Sequence, residues 1–271
     1  MTQYPELTVT VNHRPVRWEE IKHWKARRAA TVLQLLKDHD QTLRLNNQPL
    51  PQQTFYQLSD DDLIAAAKDT KLALTPNQIE DLLQNDLQQS DAMWHRFMEQ
   101  TPANAPLKAI HVQFDLAGIT PEILTQVNLD QLQGTGFREH AFDLHPEHYL
   151  FSQEGNVQDV IETFGEYGLP THFHLVMLDP HTHKLPEAIN PNTKKVIFGK
   201  GLLASDGFDT HQYALHQFMP NATGDGLHID LGIFTPAGMD DAALIGHQQH
   251  FAIEFASMFT KILDQLHASV S

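Results

Sequence analysis

The sequence predicts an α+β protein in which an antiparallel sheet curls around a long C-terminal helix and leaves a cavity between them. Three observations predict it. From Gly246 to Leu266, GHQQHFAIEFASMFTKILDQL, the residues Phe251, Phe255, Met258, Phe259, Ile262 and Leu266 recur at helical spacing and form one broad apolar stripe. From about residue 107 the period becomes that of strands, with Gly and Pro clusters between the runs. Before that, residues 1 to 105 are polar and mainly helical in pattern, and TPANAP (101–106) punctuates the change. The expected organisation is a helical N-terminal region, 1–105, followed by a sheet-and-helix domain, 106–271.

Taken in order, Trp18 to Leu36 carries Ile21, Trp24, Val32, Leu35 and Leu36 on a helical period. Ser59 opens a second helix, and Asp60, Asp61 and Asp62 place acids in its first turn, where the helix dipole favours them. Thr75-Pro76-Asn77-Gln78 has the form of a capping box with Pro at the first helical position, and Ile79, Leu82, Leu83 and Leu87 follow as the core face. Asp91 to Gln100 reads as a further short helix and LNNQPLPQQ (45–53) as a loop. No catalytic constellation is visible in this third, which reads as an accessory or oligomerisation region; a homo-oligomer is compatible with it. Beyond the boundary, Leu107 to Asp115 reads as a strand and GITPEILTQVNLDQL (118–132) as one or two short helices. Extended runs follow at Phe137 to Leu144, Val157 to Phe164, His172 to Leu178, Val196 to Leu203, Gln212 to Met219 and Leu227 to Phe234.

Composition narrows the function. With 18 Lys+Arg against 34 Asp+Glu the net charge is −16, which argues against a protein whose main task is to hold nucleic acid or an anionic membrane. Cysteine is absent, so disulfides, thiolate zinc sites and a Cys nucleophile are excluded, and any metal must use His, Asp or Glu. No apolar run reaches membrane-spanning length and MTQYPELTVTV lacks a signal-peptide pattern, so a cytoplasmic protein is expected. No GxSxG elbow is present, and the glycines of GEYG and GKG lack phosphate-loop spacing.

Several polar residues interrupt apolar faces. His250 and Glu254 stand four apart at the border of the last helix's stripe, with His247 one turn earlier on the same side. They read either as two ligands for a divalent metal or as an ordinary surface His–Glu pair. Glu162 shares a strand face with Val160 and Phe164. A carboxylate there must be paired or metal-bound, unless the register is shifted by one and it meets solvent. HPEHYLF (145–151) offers His145 and His148. His216, in YALHQFMP, is a candidate to move a proton in a closed pocket or else a hydrogen-bonded core histidine. His172, His174 and the HTH of 181–183 read mainly as solvated or edge residues.

The order GITPEIL, FDLHPEH, VIETFG, ALHQFMPNATGDG and HFAIEF resembles the diacetylphloroglucinol hydrolase and phloretin hydrolase family over about residues 118 to 266. The resemblance implies a helix-grip fold, a zinc ion held by two His and two Glu, and hydrolysis of the carbon–carbon bond joining an acyl group to a phenolic ring. Residue by residue it implies His250 and Glu254 as helix ligands and Glu162 as the strand ligand, with Glu162 also helping to orient water. It favours His148 as the first ligand, with His145 as the alternative, and matches His216 to a pocket histidine that contacts substrate or transfers a proton; a tyrosine such as Tyr149 or Tyr213 is expected to help it. The expected partner is a small aromatic or ketonic substrate. The run LTQVNLDQLQG carries no aromatics where that family shows a tryptophan-rich stretch, so a different pocket lining is expected. The rival reading is a non-enzymatic carrier of a small hydrophobic ligand.

Overall fold

The computed structural model describes residues 4, 6–51, 53–120, 137–165 and 168–270, with residues 269 and 270 described by their main chain alone. The N-terminal third contains β1 (Leu7–Val11), β2 (Arg14–Val16), α1 (Trp18–Asp38), β3 (Arg44–Leu45), β4 (Gln48–Pro49), a 3-10 turn at Phe55–Gln57, α2 (Asp60–Leu72) and α3 (Pro76–Glu99). After it come β5 (Lys108–Ala117), α4 (Phe137–Leu144), β6 (His148–Glu154), β7 (Val157–Thr163), β8 (Pro170–Met177), β9 (Lys195–Leu203), β10 (Asp209–Pro220), β11 (Gly226–Thr235) and α5 (Asp241–Val270).

The fold is mixed α+β, with nine strands in the order β2-β1-β5-β11-β10-β9-β8-β7-β6. The helix-grip expectation is not met. The sheet is an open layer that begins at β2 and finishes at β6, so the strands do not close around α5 as a grip requires. The reason lies in the N-terminal third. The alternating run LTVTV pairs antiparallel with β5, Val9 opposite Phe114 and Val11 opposite Val112, and extends the sheet outward on that side. Asn12 and His13 take φ values of 51° and 60° in the tight turn to β2.

One face of this sheet packs on α5. Val112, Phe114 and Leu116 of β5 and Ile229, Leu231 and Ile233 of β11 join Phe251, Ala252 and Phe259 in one buried cluster. A second cluster unites Val32, Leu33 and Leu36 of α1, Phe55, and Ile79 and Leu83 of α3 with Phe142, Leu150 and Ile161. Burial of these side chains, at about 1.5–3 kcal/mol each, outweighs the modest helix propensities of the individual segments.

Caps behave as their chemistry requires. Ser59 accepts from the Asp62 N–H, and Thr75 and Gln78 form the reciprocal capping box. Three local expectations are corrected. Phe137–Leu144 is a helix, because its buried positions Ala141, Phe142 and Leu144 follow a helical face and not an alternation. Asp91 to Gln100 is no separate helix but the end of α3, whose mid-helix Ser90 is satisfied at 2.5 Å by the Thr171 hydroxyl. The 45–53 segment contains the β3–β4 hairpin, turned by Asn46 and Asn47 in the left-handed region that Asn tolerates. Most of the helix expected over 118–132 falls outside the described residues. Among the described residues, no helix is long and apolar enough to cross a membrane.

Candidate metal centre and adjoining cavity

β6 begins at His148, which pairs in register with Glu162 of β7; a bulge between His148 and Leu150 turns Tyr149 away into the second cluster. On α5, one turn separates His250 from Glu254. The fold brings these four side chains together. His148 Nε2 is 3.2 Å from His250 Nε2, 3.6 Å from Glu162 Oε2 and 4.0 Å from Glu254 Oε2. His250 Nε2 is 3.8 Å from Glu162 Oε2 and 3.9 Å from Glu254 Oε2. Both imidazoles are buried, Glu162 is 6% exposed, and Glu254 is half-buried.

His145, His148 and His250 form a buried three-histidine cluster capable of coordinating a metal ion, with one ring nitrogen from each within 4.8 Å of the others. The rings have different partners. His148 Nδ1–H donates to the Ala141 carbonyl at 3.0 Å, which leaves the Nε2 lone pair facing the group. His145 stacks on His250 at 3.7 Å with an interplanar angle of 20°. That stacking sets the two ring planes nearly parallel, and His145 Nε2 has no hydrogen-bond partner, so His145 remains the third imidazole of the cluster. The His145 Nδ1 already accepts the Glu147 N–H at 3.1 Å. A cation about 2.0–2.2 Å from four donors sets them about 3.3–3.6 Å apart in a tetrahedron. The five separations among His148, Glu162, His250 and Glu254 bracket that range.

Electrostatics point the same way. Burial holds the His148 and His250 imidazoles well below the ordinary histidine range, so both are neutral donors. Burial pushes Glu162 well up, with further upward pressure from the charges of Glu254 and Glu147, and pushes Glu254 up to about 7. Neutral imidazoles beside crowded, desolvated carboxylates are a set whose charge deficit a divalent cation offsets.

A cavity of about 200 Å³ adjoins this group, between α5 and the inner face of β6–β11, with Glu162 and Glu254 in its wall. Phe151, Leu175, Ile197, Ile233, Phe251 and Phe255 give it apolar sides, and Gly199, Gly201 and Ala214 leave its floor open. His216 also lines it, buried, edge-on to Phe251 and Phe255 at 5.5 and 5.7 Å. Its Nδ1 has no hydrogen-bond partner, and burial pushes the ring down to about 4. His247 lines the cavity as well, stacked on Phe164 at 3.8 Å with both ring nitrogens unpartnered. An unpaired buried donor costs about 1–3 kcal/mol, so these imidazoles are open to a bound molecule.

Other candidates lie apart. His172 bonds Asp159 at 2.7 Å on the opposite face of β7–β8 with His174 3.6 Å from the same carboxylate, and His181 and His183 sit in an exposed turn. Tyr149 and Tyr213 do not reach the cavity: Tyr149 packs in the second cluster and Tyr213 stacks on Phe198 on the far side of the sheet. Sequence reasoning missed the support behind the donors. Glu147 Oε2 stands 3.6 Å from His250 Nδ1 and takes a 2.5 Å bond from Arg28 of α1. The signal was present: Ile21, Lys25, Arg28 and Val32 share one buried helix face, and a charge on such a face needs a partner. Comparison of the chain with protein-family models and with curated proteins gives no match.

Proposed function

We propose that this chain is a metal-dependent hydrolase, with His148, Glu162, His250 and Glu254 as ligands of one divalent cation and the adjoining cavity as the substrate site. The observation that carries this reading is the convergence of two buried imidazoles, the buried Glu162 and the half-buried Glu254, five of whose separations are 3.2 to 4.0 Å, across three elements. Zinc suits a compact His/carboxylate set without Cys. A cation held there supplies Lewis-acid polarisation of a carbonyl.

The protein's own groups define the rest. The mainly apolar walls fit a flat, ring-bearing ketone, with Gln158, Lys200 and Gln212 as polar groups beside them. Glu162 and Glu254 face the cavity and orient a water against the carbonyl carbon. His216, neutral at pH 7, is placed to carry a proton within the cavity. The resemblance to diacetylphloroglucinol and phloretin hydrolases supports cleavage between acyl carbon and phenolic ring. Water's oxygen ends on the acyl carbon as a carboxylic acid, and the ring carbon takes up a proton.

The test is metal content of protein purified without added metal, together with an acyl-phenol cleavage assay. One equivalent of zinc, lost in Glu254→Ala along with turnover, is the expected result. Metal-free protein that turns over at full rate would overturn it. Protein with neither metal nor turnover that retains a small apolar molecule would establish the carrier reading instead.

A further inference from the structure

We propose that Arg28 of α1 is a positioning residue of this centre, one guanidinium tying together the three elements that carry the ligands; the inference rests on the metal reading above. Arg28 is 1% exposed. Its Nη1 donates to Glu147 Oε2 at 2.5 Å, beside His148, and to the Gly165 carbonyl at 2.9 Å, just beyond Glu162. Its Nη2 donates to the Gly246 carbonyl at 2.6 Å, one turn before His250. The β6 turn, the end of β7 and the start of α5 thus meet on a single planar fork. A fork of fixed donor geometry sets angles between its partners in a way that the point charge of lysine does not.

The Glu147 carboxylate held by that fork stands 3.6 Å from His250 Nδ1. At that distance it makes no hydrogen bond to the ring, whose Nδ1 has no partner; it acts on His250 as a buried carboxyl held in a fixed place behind a candidate ligand. Energetics favour this role over simple cohesion. A fully buried ion pair gives back in Coulomb attraction little more than it loses in desolvation, and apolar side chains of similar volume stabilise as well. What an Arg–Glu pair does here, and an apolar pair does not, is deliver an oriented carboxylate to the back of a ligand. Lys71 of α2 braces the same turn from its other side, donating to the Pro146 and His148 carbonyls, each at 2.5 Å.

The experiment measures zinc affinity of the full chain by competition with a chromophoric chelator, and the visible spectrum after cobalt loading. It compares the wild type with Arg28→Lys, Glu147→Gln and the double variant, each with wild-type circular dichroism. Zinc binding about 10- to 100-fold weaker in each single variant, with shifted cobalt bands, is expected. The double variant is expected to lose no more than the weaker single one, because Arg28 acts through Glu147. Should Arg28→Lys fail to fold, Glu147→Gln decides alone, since it keeps the side chain's shape. Wild-type affinity and cobalt spectrum in a folded single variant, or fully additive losses, would overturn the inference. A wild-type chain that takes up no metal would instead overturn the metal reading, and this inference with it.

Discussion

His148 and His250, 102 residues apart in the chain, meet with their Nε2 atoms 3.2 Å apart. The His148 Nδ1–H is committed to the Ala141 carbonyl, so its Nε2 carries a lone pair into that contact. Two neutral rings facing each other in this way leave room for a shared cation between them.

Removal of metal should cost stability. A cation at 1,000 times its dissociation constant stabilises the folded chain by about 4 kcal/mol. Thermal melts with and without a chelator should therefore differ clearly for the wild type. In His148→Ala they should coincide, and a chelator effect that survives in this variant would place the cation elsewhere.

His216→Phe should bind zinc normally yet lose about 10²- to 10⁴-fold in turnover. The pH dependence has a definite sign. Burial lowers the folded-state ring to about 4, against about 6.5 unfolded, so its contribution is fully present above 6.5 and is lost as pH falls toward 4. Urea melts should show the wild type losing up to about 3 kcal/mol across that window that His216→Phe does not lose. Any rate limb owed to His216 falls near pH 4 rather than 6.5.

Lys25 gives the same sign in a higher window. It is buried, bonded to Ser257 Oγ at 2.9 Å and to the Asp143 carbonyl, and burial pushes it down to about 7, with Lys261 and Lys68 adding to that and Asp143 opposing it. Between about pH 7 and 10 the unfolded chain holds this proton and the folded chain does not, so stability should rise with pH over that range. Lys25→Met should flatten the slope of unfolding free energy against pH; an unchanged slope would assign it to other groups.

Ala214 lines the cavity and offers no donor atom of its own to a cation. Ala214→Leu should leave zinc stoichiometry intact and lower kcat/KM by tenfold or more, since the added methylenes occupy substrate volume. Equal loss of metal and turnover would show that cavity and centre are not separable.

Much of the fold was legible because its signals are local. The Ser59 and Thr75 caps, the stripe of α5 and the alternation of β7 to β11 each depend on a few neighbouring residues. The openness of the sheet was not, because it depends on five residues of β1 pairing with a strand about a hundred positions later. Helix α4 was misread because eight residues are too few to separate periods of 2 and 3.6. At the site, Glu162, His216, His250 and Glu254 stood out as polar residues on apolar faces; the structure sets Glu162, His216 and Glu254 in the wall of one cavity, and His250 against both carboxylates. Spacing offered His145 and His148 as alternatives, and the structure places both in one buried cluster with His250. Arg28 escaped notice because its partners lie on elements far along the chain.

β6 stands at the margin of the sheet, joined by β7 on one side, and His148 is its first residue. Marginal strands fray more readily than central ones. Brief detachment of β6 would free one donor while β7 and α5 stay in place. Ion exchange with the surroundings would then run on the timescale of that local breathing, far faster than global unfolding, and the brace from Lys71 would act as its brake.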